Sequence, residues 1–159
     1  MNVRLRGANV DDVPTIARLI RALSVYEKLE HEVVMTEEKV RDNLFVKHRY
    51  AEVVLAEEGG EAVGFALFFH NFSTFLGQPG IYLEDLFVVP EKRGSGIGRM
   101  LLARLAQLAV ERDCGRLEWS VLDWNQDAVR FYERLGARPN SEWTVYRLAG
   151  QALRELAGQ

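Results

Sequence analysis

Three glycines within five residues make the segment after residue 92 a candidate ligand site. The run reads Arg93-Gly94-Ser95-Gly96-Ile97-Gly98, after an apolar strand-like stretch at residues 81–89 and before a helix-like pattern. Glycine permits positive φ and leaves main-chain N–H groups open to a bulky ligand. The start of a helix adds unpaired amides and the positive end of the helix dipole. These residues therefore predict an anion site suited to phosphate.

The glycine spacing excludes two common nucleotide motifs. A dinucleotide-binding G-x-G-x-x-G would need glycine at position 99, where Arg99 stands. A P-loop would need Gly-Lys followed by Ser or Thr, which this stretch lacks. The remaining pattern, Arg-x-x-Gly-x-Gly, resembles the acyl-CoA pyrophosphate loop of the GCN5-related N-acetyltransferase (GNAT) family. The resemblance implies that the amides of residues 94–99 hold the diphosphate of acetyl-CoA, while Arg93 adds charge.

A second candidate motif lies in a predicted helix at residues 125–135. Asn125, Ala128 and Tyr132 recur on one face of this helix. A helical tyrosine taken alone is more often a packing residue. The pattern N-x-x-A-x-x-x-Y-x-x-x-G resembles the corresponding GNAT helix, where the tyrosine phenol faces the CoA sulfur. The resemblance implies that all three residues contribute to the cofactor site and that Tyr132 is the acid for the departing thiolate.

Two adjacent acids, Glu84 and Asp85, interrupt the apolar segment at residues 81–89. Successive side chains of a strand face opposite ways, so one of the pair is expected to reach a cleft. A solvated strand end or a structural hydrogen bond is the alternative explanation. A lysine-like amine has a pKa of about 10.4, so its neutral form is disfavoured near pH 7 by roughly 5 kcal/mol. Acetylation therefore needs a base, and the resemblance assigns this role to Glu84.

The resemblance is closest to the diamine acetyltransferase group, which includes spermidine/spermine and thialysine enzymes. In that group the residues corresponding to Tyr26, Glu27 and Glu84 line the amine channel, and the one corresponding to Glu142 lies near the substrate. Members are commonly homodimers. The matching stretches are Tyr-Glu-Lys at 26–28, Tyr-Leu-Glu-Asp at 82–85, Arg-Gly-Ser-Gly-Ile-Gly at 93–98 and Asp-Trp-Asn at 123–125.

The expected acceptor follows from one sequence difference between this chain and the polyamine-acetylating members of that group. Polyamine-acetylating members carry an acidic residue and a tryptophan before the Tyr-Leu-Glu-Asp strand, where this chain has Ser73-Thr74-Phe75. The resemblance therefore favours thialysine or a related lysine-like amine over spermidine. Leu86, Phe87 and Val88 are expected to offer main-chain bonds to the pantetheine arm, as an added strand pairs with a sheet edge.

The element pattern predicts what must position these residues. Strands are expected at residues 3–6, 52–56, 62–69, 81–89, 117–121 and 143–148. Helices are expected at residues 11–26, in a short segment that begins at residue 36, from the glycine turn to about residue 112, at residues 125–135, and from residue 150 onward. This order predicts an α/β (α+β) domain. The resemblance specifies the GNAT fold, with a central mixed, mostly antiparallel sheet and helices on both faces.

Composition limits the remaining function classes. The chain has 159 residues, 48% hydrophobic and 27% charged, which predicts a single domain over residues 1–159. No stretch is apolar enough for a membrane span or a signal peptide, which predicts a cytoplasmic protein. The scattered histidines and single cysteine predict no metal site, and the net charge of −3 argues against nucleic acid.

Three hypotheses remain from the sequence. The first is an acetyl-CoA-dependent N-acetyltransferase for a small primary amine, and the second acetylates lysine on a protein or another amino acid. The third is a sensor that binds acyl-CoA without turnover. A sensor needs only the glycine turn, so the presence of both Glu84 and Tyr132 favours an enzyme.

Overall fold

The structure, a computed structural model, describes residues 2–159. Their contacts group into two compact units, one ending at Ser120 and the other running from Val121 to Gln159. The assignment of one domain to residues 1–159 stays a prediction.

The first unit contains a five-stranded sheet in the order β1-β2-β3-β4-β5. Each strand is antiparallel to its neighbour except β5, which runs parallel to β4. This confirms the predicted mixed, mostly antiparallel sheet. The strands are β1 Val3–Gly7, β2 Glu52–Glu58, β3 Glu61–Ser73, β4 Gln78–Val88 and β5 Leu117–Trp119.

Three helices accompany this sheet. They are α1 Val13–Tyr26, α2 Glu37–Arg41, which continues as a π-helical turn over Asp42–Val46, and α3 Ile97–Glu111. Pro14 lies in the first turn of α1, where a missing N–H has no consequence. Thr36 caps α2 by accepting a hydrogen bond from the Lys39 N–H. Both helix starts confirm the sequence prediction.

The beginning of α1 is fixed to the sheet by ionic hydrogen bonds. The Arg6 guanidinium on β1 donates to both Asp12 carboxylate oxygens, at 2.7 and 2.8 Å, and to Glu57 on β2 at 2.7 Å. Asp12 also accepts from the Asn9 N–H at 2.8 Å. The hydrogen bonds from Arg6 hold the pKa of Asp12 below its usual range. Because α1 is anchored here, the position of its other end at Tyr26 is defined.

Both faces of the sheet are covered by helices. On one face, a buried apolar cluster joins α1 and α2 to the strands. On the other face, Leu101 of α3 lies against Gly64, where its Cδ1 would be 3.5 Å from an added Cβ. The residues of the first cluster are Val13, Ile16, Leu19, Leu23, Val40, Val53, Leu55, Ala62, Phe65 and Phe87.

A β-bulge in β4 reverses the direction of its side chains. Leu67 of β3 pairs with Asp85, but the next residue, Phe68, pairs with Leu83, so Glu84 is the extra residue. Leu67 packs against the α1 cluster and Phe68 lies on the opposite face of β3. Asp85 therefore faces α1, whereas Leu83, only two residues away, faces the other side.

The second unit contains α4 Gln126–Arg134 and α5 Gly150–Ala157. The predicted strand at residues 143–148 is wrong, because this stretch forms no regular structure. Its strand-forming side chains Trp143, Val145 and Tyr146 are 77–93% exposed. Local β-propensity describes how a side chain fits a pleated surface, and no ladder partner for this stretch occurs among residues 2–159. The preceding strand is also shorter than predicted, since β5 pairs only with Ile81–Leu83 of β4.

Candidate active site

The glycine turn opens directly into α3. Gly94 and Gly96 have φ of 77° and 90°, the left-handed region that glycine occupies without strain. A Cβ at either position would meet no atom within 4 Å, so the backbone conformation and not internal crowding requires glycine. The Ser95 hydroxyl donates to the Lys92 carbonyl and closes the turn.

The N-terminus of α3 has the character of an anion site. Gly96 is the N-cap and brings no side chain to cap the helix. The first intrahelical bond runs from the Met100 N–H to the Gly96 carbonyl at 3.0 Å, so the preceding amides have no intrahelical partner. Ile97 is only 1% exposed and fixes this end in the core, whereas Arg99 is exposed. The turn therefore presents oriented N–H groups beside positive charge, which suits a diphosphate.

One edge of β4 is open next to this turn. Strand β5 pairs with β4 only as far as Leu83, so Leu86, Phe87 and Val88 have no ladder partner on that side among the described residues. The Val88 carbonyl instead accepts a hydrogen bond from Arg93 Nε at 2.9 Å. This edge has the main-chain geometry expected for binding an extended amide-containing arm.

Arg93 also connects the glycine turn to the end of α1. Its Cζ lies 4.1 Å from the ring centroid of Tyr26 and 5.4 Å from that of Phe87. Such distances are typical of cation–π contacts. The aromatic rings of Tyr26 and Phe87 therefore accept a cation in this structure. Sequence reasoning assigned Arg93 to the diphosphate alone and missed this contact.

Three carboxyl groups interact where the bulge meets the end of α1. Burial, and then the charges of Glu84 and Glu27, raise the pKa of Asp85 to about 7. Burial also raises the pKa of Glu27, the residue that follows α1. Glu84 itself is exposed. A carboxyl group with this pKa can exchange protons near neutral pH, and sequence reasoning did not assign any role to Asp85.

The second unit holds the remaining predicted residues. The side chain of Asn125 caps α4 by accepting from the Ala128 N–H at 3.3 Å. Tyr132 is partly buried near the end of α4, with its ring 5.5 Å from that of Phe131. Glu142 is exposed in the stretch after the helix. The helix and its closing residue Gly136, at φ 92°, confirm the predicted local structure.

The structure brings some predicted residues together and separates others. Tyr26, Glu27, Glu84 and the glycine turn converge around the second half of β4. The segment 73–75 lies instead at the tip of the β3–β4 hairpin, six residues from Glu84 along β4, which is roughly 20 Å. Ser73 is buried and accepts a hydrogen bond from the Leu76 N–H, so its hydroxyl shapes the turn.

Among residues 2–159, no group of three or more histidine, cysteine, aspartate or glutamate side chains is arranged to hold a metal ion. None of the described helices has the length and apolar character needed to cross a membrane.

Residues 16–137 match the acetyltransferase (GNAT) family, over more than half of the chain. This chain belongs to the GNAT family. Thialysine N-epsilon-acetyltransferases from Mus musculus and Bos taurus are 37% and 39% identical to it, each over 99% of the chain and 98–99% of the relative. An L-ornithine N5-acetyltransferase from Arabidopsis thaliana is 32% identical over 96% of the chain and 87% of its own length.

Solved structures agree with this assignment. An integron cassette protein from the mobile metagenome of V. cholerae superposes with a TM-score of 0.84 at 27% identity, covering 100% of this chain and 99% of that protein. The fold is therefore that of the GNAT family, as the sequence predicts. The chain is an N-acetyltransferase, and its family uses acetyl-CoA as cosubstrate.

Proposed function

We propose that this protein transfers acetyl from acetyl-CoA to the primary amine of a small cationic acceptor, either thialysine or a related lysine-like amine or diamine. The observation that carries this proposal is that β4 joins both halves of the site. Its bulge holds Glu84 and Asp85, and the glycine turn follows a few residues later. The names of the relatives support amines of the thialysine and ornithine type.

The residues present fit acetyl-CoA. Left-handed Gly94 and Gly96 leave open space where side chains would stand, and the amides of residues 94–99 would hold the diphosphate. The main chain of residues 86–88 would bind the pantetheine arm, and Asn125 and Ala128 complete the proposed set. When bound, acetyl-CoA supplies the acetyl thioester.

The acceptor would be held by opposite charge. Glu27 follows Tyr26 at the end of α1, and its charge and that of Glu84 both act on Asp85. The Tyr26 ring accepts the Arg93 cation. A second ammonium group on the acceptor suits these carboxylates, and Glu142 is proposed as a further contact. The segment 73–75 lies at the far end of the hairpin, so the preference for thialysine depends on the relatives and not on this turn.

Two proton transfers complete the proposed reaction. One carboxylate of the bulge takes the proton that makes the amine nucleophilic, and the resemblance names Glu84 for this step. Tyr132 donates a proton to the thiolate. No covalent acyl-enzyme is required. Tyr132→Phe should reduce kcat with nearly unchanged acetyl-CoA affinity, measured by calorimetry, and an unchanged kcat would remove the acid role.

The substrate is tested by thiol release from acetyl-CoA across thialysine, lysine, ornithine, diamines, spermidine and spermine, with lysine-containing peptides as a comparison. We expect the highest kcat/KM for thialysine or ornithine. Preference for peptides would favour protein acetylation, and thiol release that no amine stimulates would favour an acyl-CoA sensor. A cytoplasmic homodimer is proposed by resemblance, and light scattering with size-exclusion chromatography would test the dimer.

A further inference from the structure

Side chains of β4 and β5 form a row that leads away from the bulge on one face of the sheet. Phe69 lies on the same face as Leu67, which packs against the α1 cluster, and Phe69 pairs with Tyr82. Tyr82 precedes Glu84 by two residues and pairs in parallel with Glu118 on β5. Because paired residues share a face and alternate residues of a strand do so too, Tyr82, Glu84 and Glu118 all lie on the face toward α1.

The character of the row changes along its length. The rings of Phe69 and Tyr82 lie 5.3 Å apart between centroids, and both are partly exposed. The Tyr82 hydroxyl lies 2.7 Å from the Ser120 hydroxyl oxygen, which holds the ring in place. Beside and beyond these rings, Arg116 and Glu118 form an ion pair with 3.1 Å between Nε and Oε1. The row therefore passes from the carboxylates of the bulge, over an aromatic surface, to a pair of opposite charges.

The β5 ion pair, which consists of Arg116 and Glu118, keeps hydrogen-bonding capacity for a ligand. Glu118 Oε1 faces Arg116 Nε and also accepts from Asn71 Nδ2 at 3.2 Å. Within residues 2–159, no hydrogen bond reaches Glu118 Oε2 or leaves Arg116 Nη1 and Nη2. The side chains of Arg116 and Glu118 are 45% and 33% exposed, so a ligand can reach them. A guanidinium edge of this kind binds a carboxylate through two parallel hydrogen bonds, and a carboxylate oxygen accepts from an ammonium.

We propose that the β5 ion pair binds the α-carboxylate and the α-ammonium of the acceptor, which is then an α-amino acid with a second amine at the end of its side chain. Arg116 binds the carboxylate, and Glu118 binds the ammonium. This inference rests on the proposed function and names the residues that select within its class of amines. A diamine or a polyamine would leave the Arg116 guanidinium without a partner carboxylate.

The spacing along β4 fits an acceptor of this kind. Glu118 is level with Tyr82, which lies roughly 7 Å along the strand from Glu84. The extended chain from the side-chain nitrogen of lysine to its α-carbon spans about 6 Å. Its methylene groups would lie on the rings of Phe69 and Tyr82. Because the pantetheine arm is proposed to lie along residues 86–88, the two substrates would meet at the bulge from opposite directions.

The first test needs only the wild-type protein and matched amines. Lysine and cadaverine share the carbon chain and the reacting amine but differ by the α-carboxylate, and lysinamide keeps the α-ammonium without the carboxylate charge. In the thiol-release assay, kcat/KM should be at least about tenfold higher for lysine than for cadaverine or lysinamide. Equal values, or a preference for the diamine, would overturn the proposal.

Variants of the β5 ion pair then test the residues. Arg116→Gln should lower kcat/KM for lysine about tenfold, mainly by raising KM, and leave that for cadaverine within about twofold. Arg116→Lys should restore part of the loss, because it keeps a cation. Glu118→Gln should lower kcat/KM for lysine but not for Nα-acetyllysine, which has no α-ammonium. Arg104→Gln is the matched control, since Arg104 is an ion-paired arginine of α3 with 40% exposure, and it should change neither substrate.

A fall by the same factor for lysine and cadaverine in Arg116→Gln would overturn the proposal, because the ion pair would then only support β5. If Arg116→Gln does not fold, Arg116→Lys and the wild-type comparison of lysine with lysinamide decide. Each variant is also unfolded in urea, so that a loss of stability is separated from a loss of selectivity.

Calorimetry separates failure of this inference from failure of the proposed function. The protein is loaded with CoA, which has no acetyl group to transfer, and titrated with ornithine or with putrescine, its decarboxylated counterpart. Ornithine should bind at least about tenfold more tightly than putrescine, and Arg116→Gln should remove the difference. That result without amine-stimulated thiol release would refute the proposed function and support the binding site. Turnover of both amines with equal affinities would refute the binding site alone.

Discussion

Neutralising Asp85 should make the protein more stable at alkaline pH and leave its stability at acidic pH unchanged. The pKa of this carboxyl is about 7 in the folded protein against an ordinary value of 3.8. That difference corresponds to up to about 4 kcal/mol of free energy. In the unfolded chain the burial, which is the largest cause of the raised pKa, is lost, and Glu27 is no longer held near Asp85.

The sign follows from proton binding. Below about pH 4 both the folded and the unfolded chain carry the proton on Asp85, so its ionisation does not lower the free energy of unfolding. Between about pH 4 and pH 7 the folded protein holds the proton more tightly, so the free energy of unfolding falls as the pH rises. Above pH 7 the full destabilisation is present. Asp85→Asn removes it and should therefore be more stable than wild type at pH 8, by up to about 4 kcal/mol.

Urea unfolding followed by tryptophan fluorescence at pH 4.5, 6 and 8 would measure this effect. The decisive quantity is the change with pH in the difference between variant and wild type. Glu84→Gln should show a smaller change of the same sign, because the charge of Glu84 is one of the causes of the raised pKa of Asp85. A stability difference for Asp85→Asn that is the same at all three pH values would refute the assignment of Asp85 as a raised-pKa group.

Three further outcomes are expected. Gly96→Ala places a side chain at φ 90° and should weaken acetyl-CoA binding in calorimetry by about tenfold. Gly60→Ala is the control, because it places a side chain at φ 80° in the β2–β3 turn. Both variants should lose roughly 1–2 kcal/mol of stability, but Gly60→Ala should keep its affinity for acetyl-CoA. Gly64→Ala would place Cβ 2.8 Å from the Phe87 carbonyl and should lower the free energy of unfolding by about 1–3 kcal/mol in urea. Asn125→Ala should cost about 1 kcal/mol through loss of the α4 cap, and Asn125→Asp should restore it in the same assay.

Features encoded by a few consecutive residues could be predicted from the sequence. The glycines at 94 and 96 adopt the left-handed backbone that their run predicts. Thr36 caps α2, and Asn125 begins the helix that carries Tyr132. In each case the determining contact lies within one turn of the residue that makes it.

Features that depend on distant partners could not be predicted. The expectation that Glu84 and Asp85 face opposite ways assumes a regular strand, but the bulge depends on the pairing with β3. The raised pKa of Asp85 comes first from burial in the folded protein, then from the charge of Glu84, and last from the charge of Glu27, nearly sixty residues earlier in the chain. Strand-like side chains at residues 143–148 carry no information about which strand, if any, is available to pair with them.

The position of Arg93 has a thermodynamic consequence for an enzyme with two substrates. Its side chain holds the Val88 carbonyl and covers the Tyr26 ring at the same time. A pantetheine amide that bonded to Val88 would displace the guanidinium and uncover Tyr26 for the incoming amine. Binding of acetyl-CoA would then increase the affinity for the amine. By linkage, binding of the amine would increase the affinity for acetyl-CoA by the same factor.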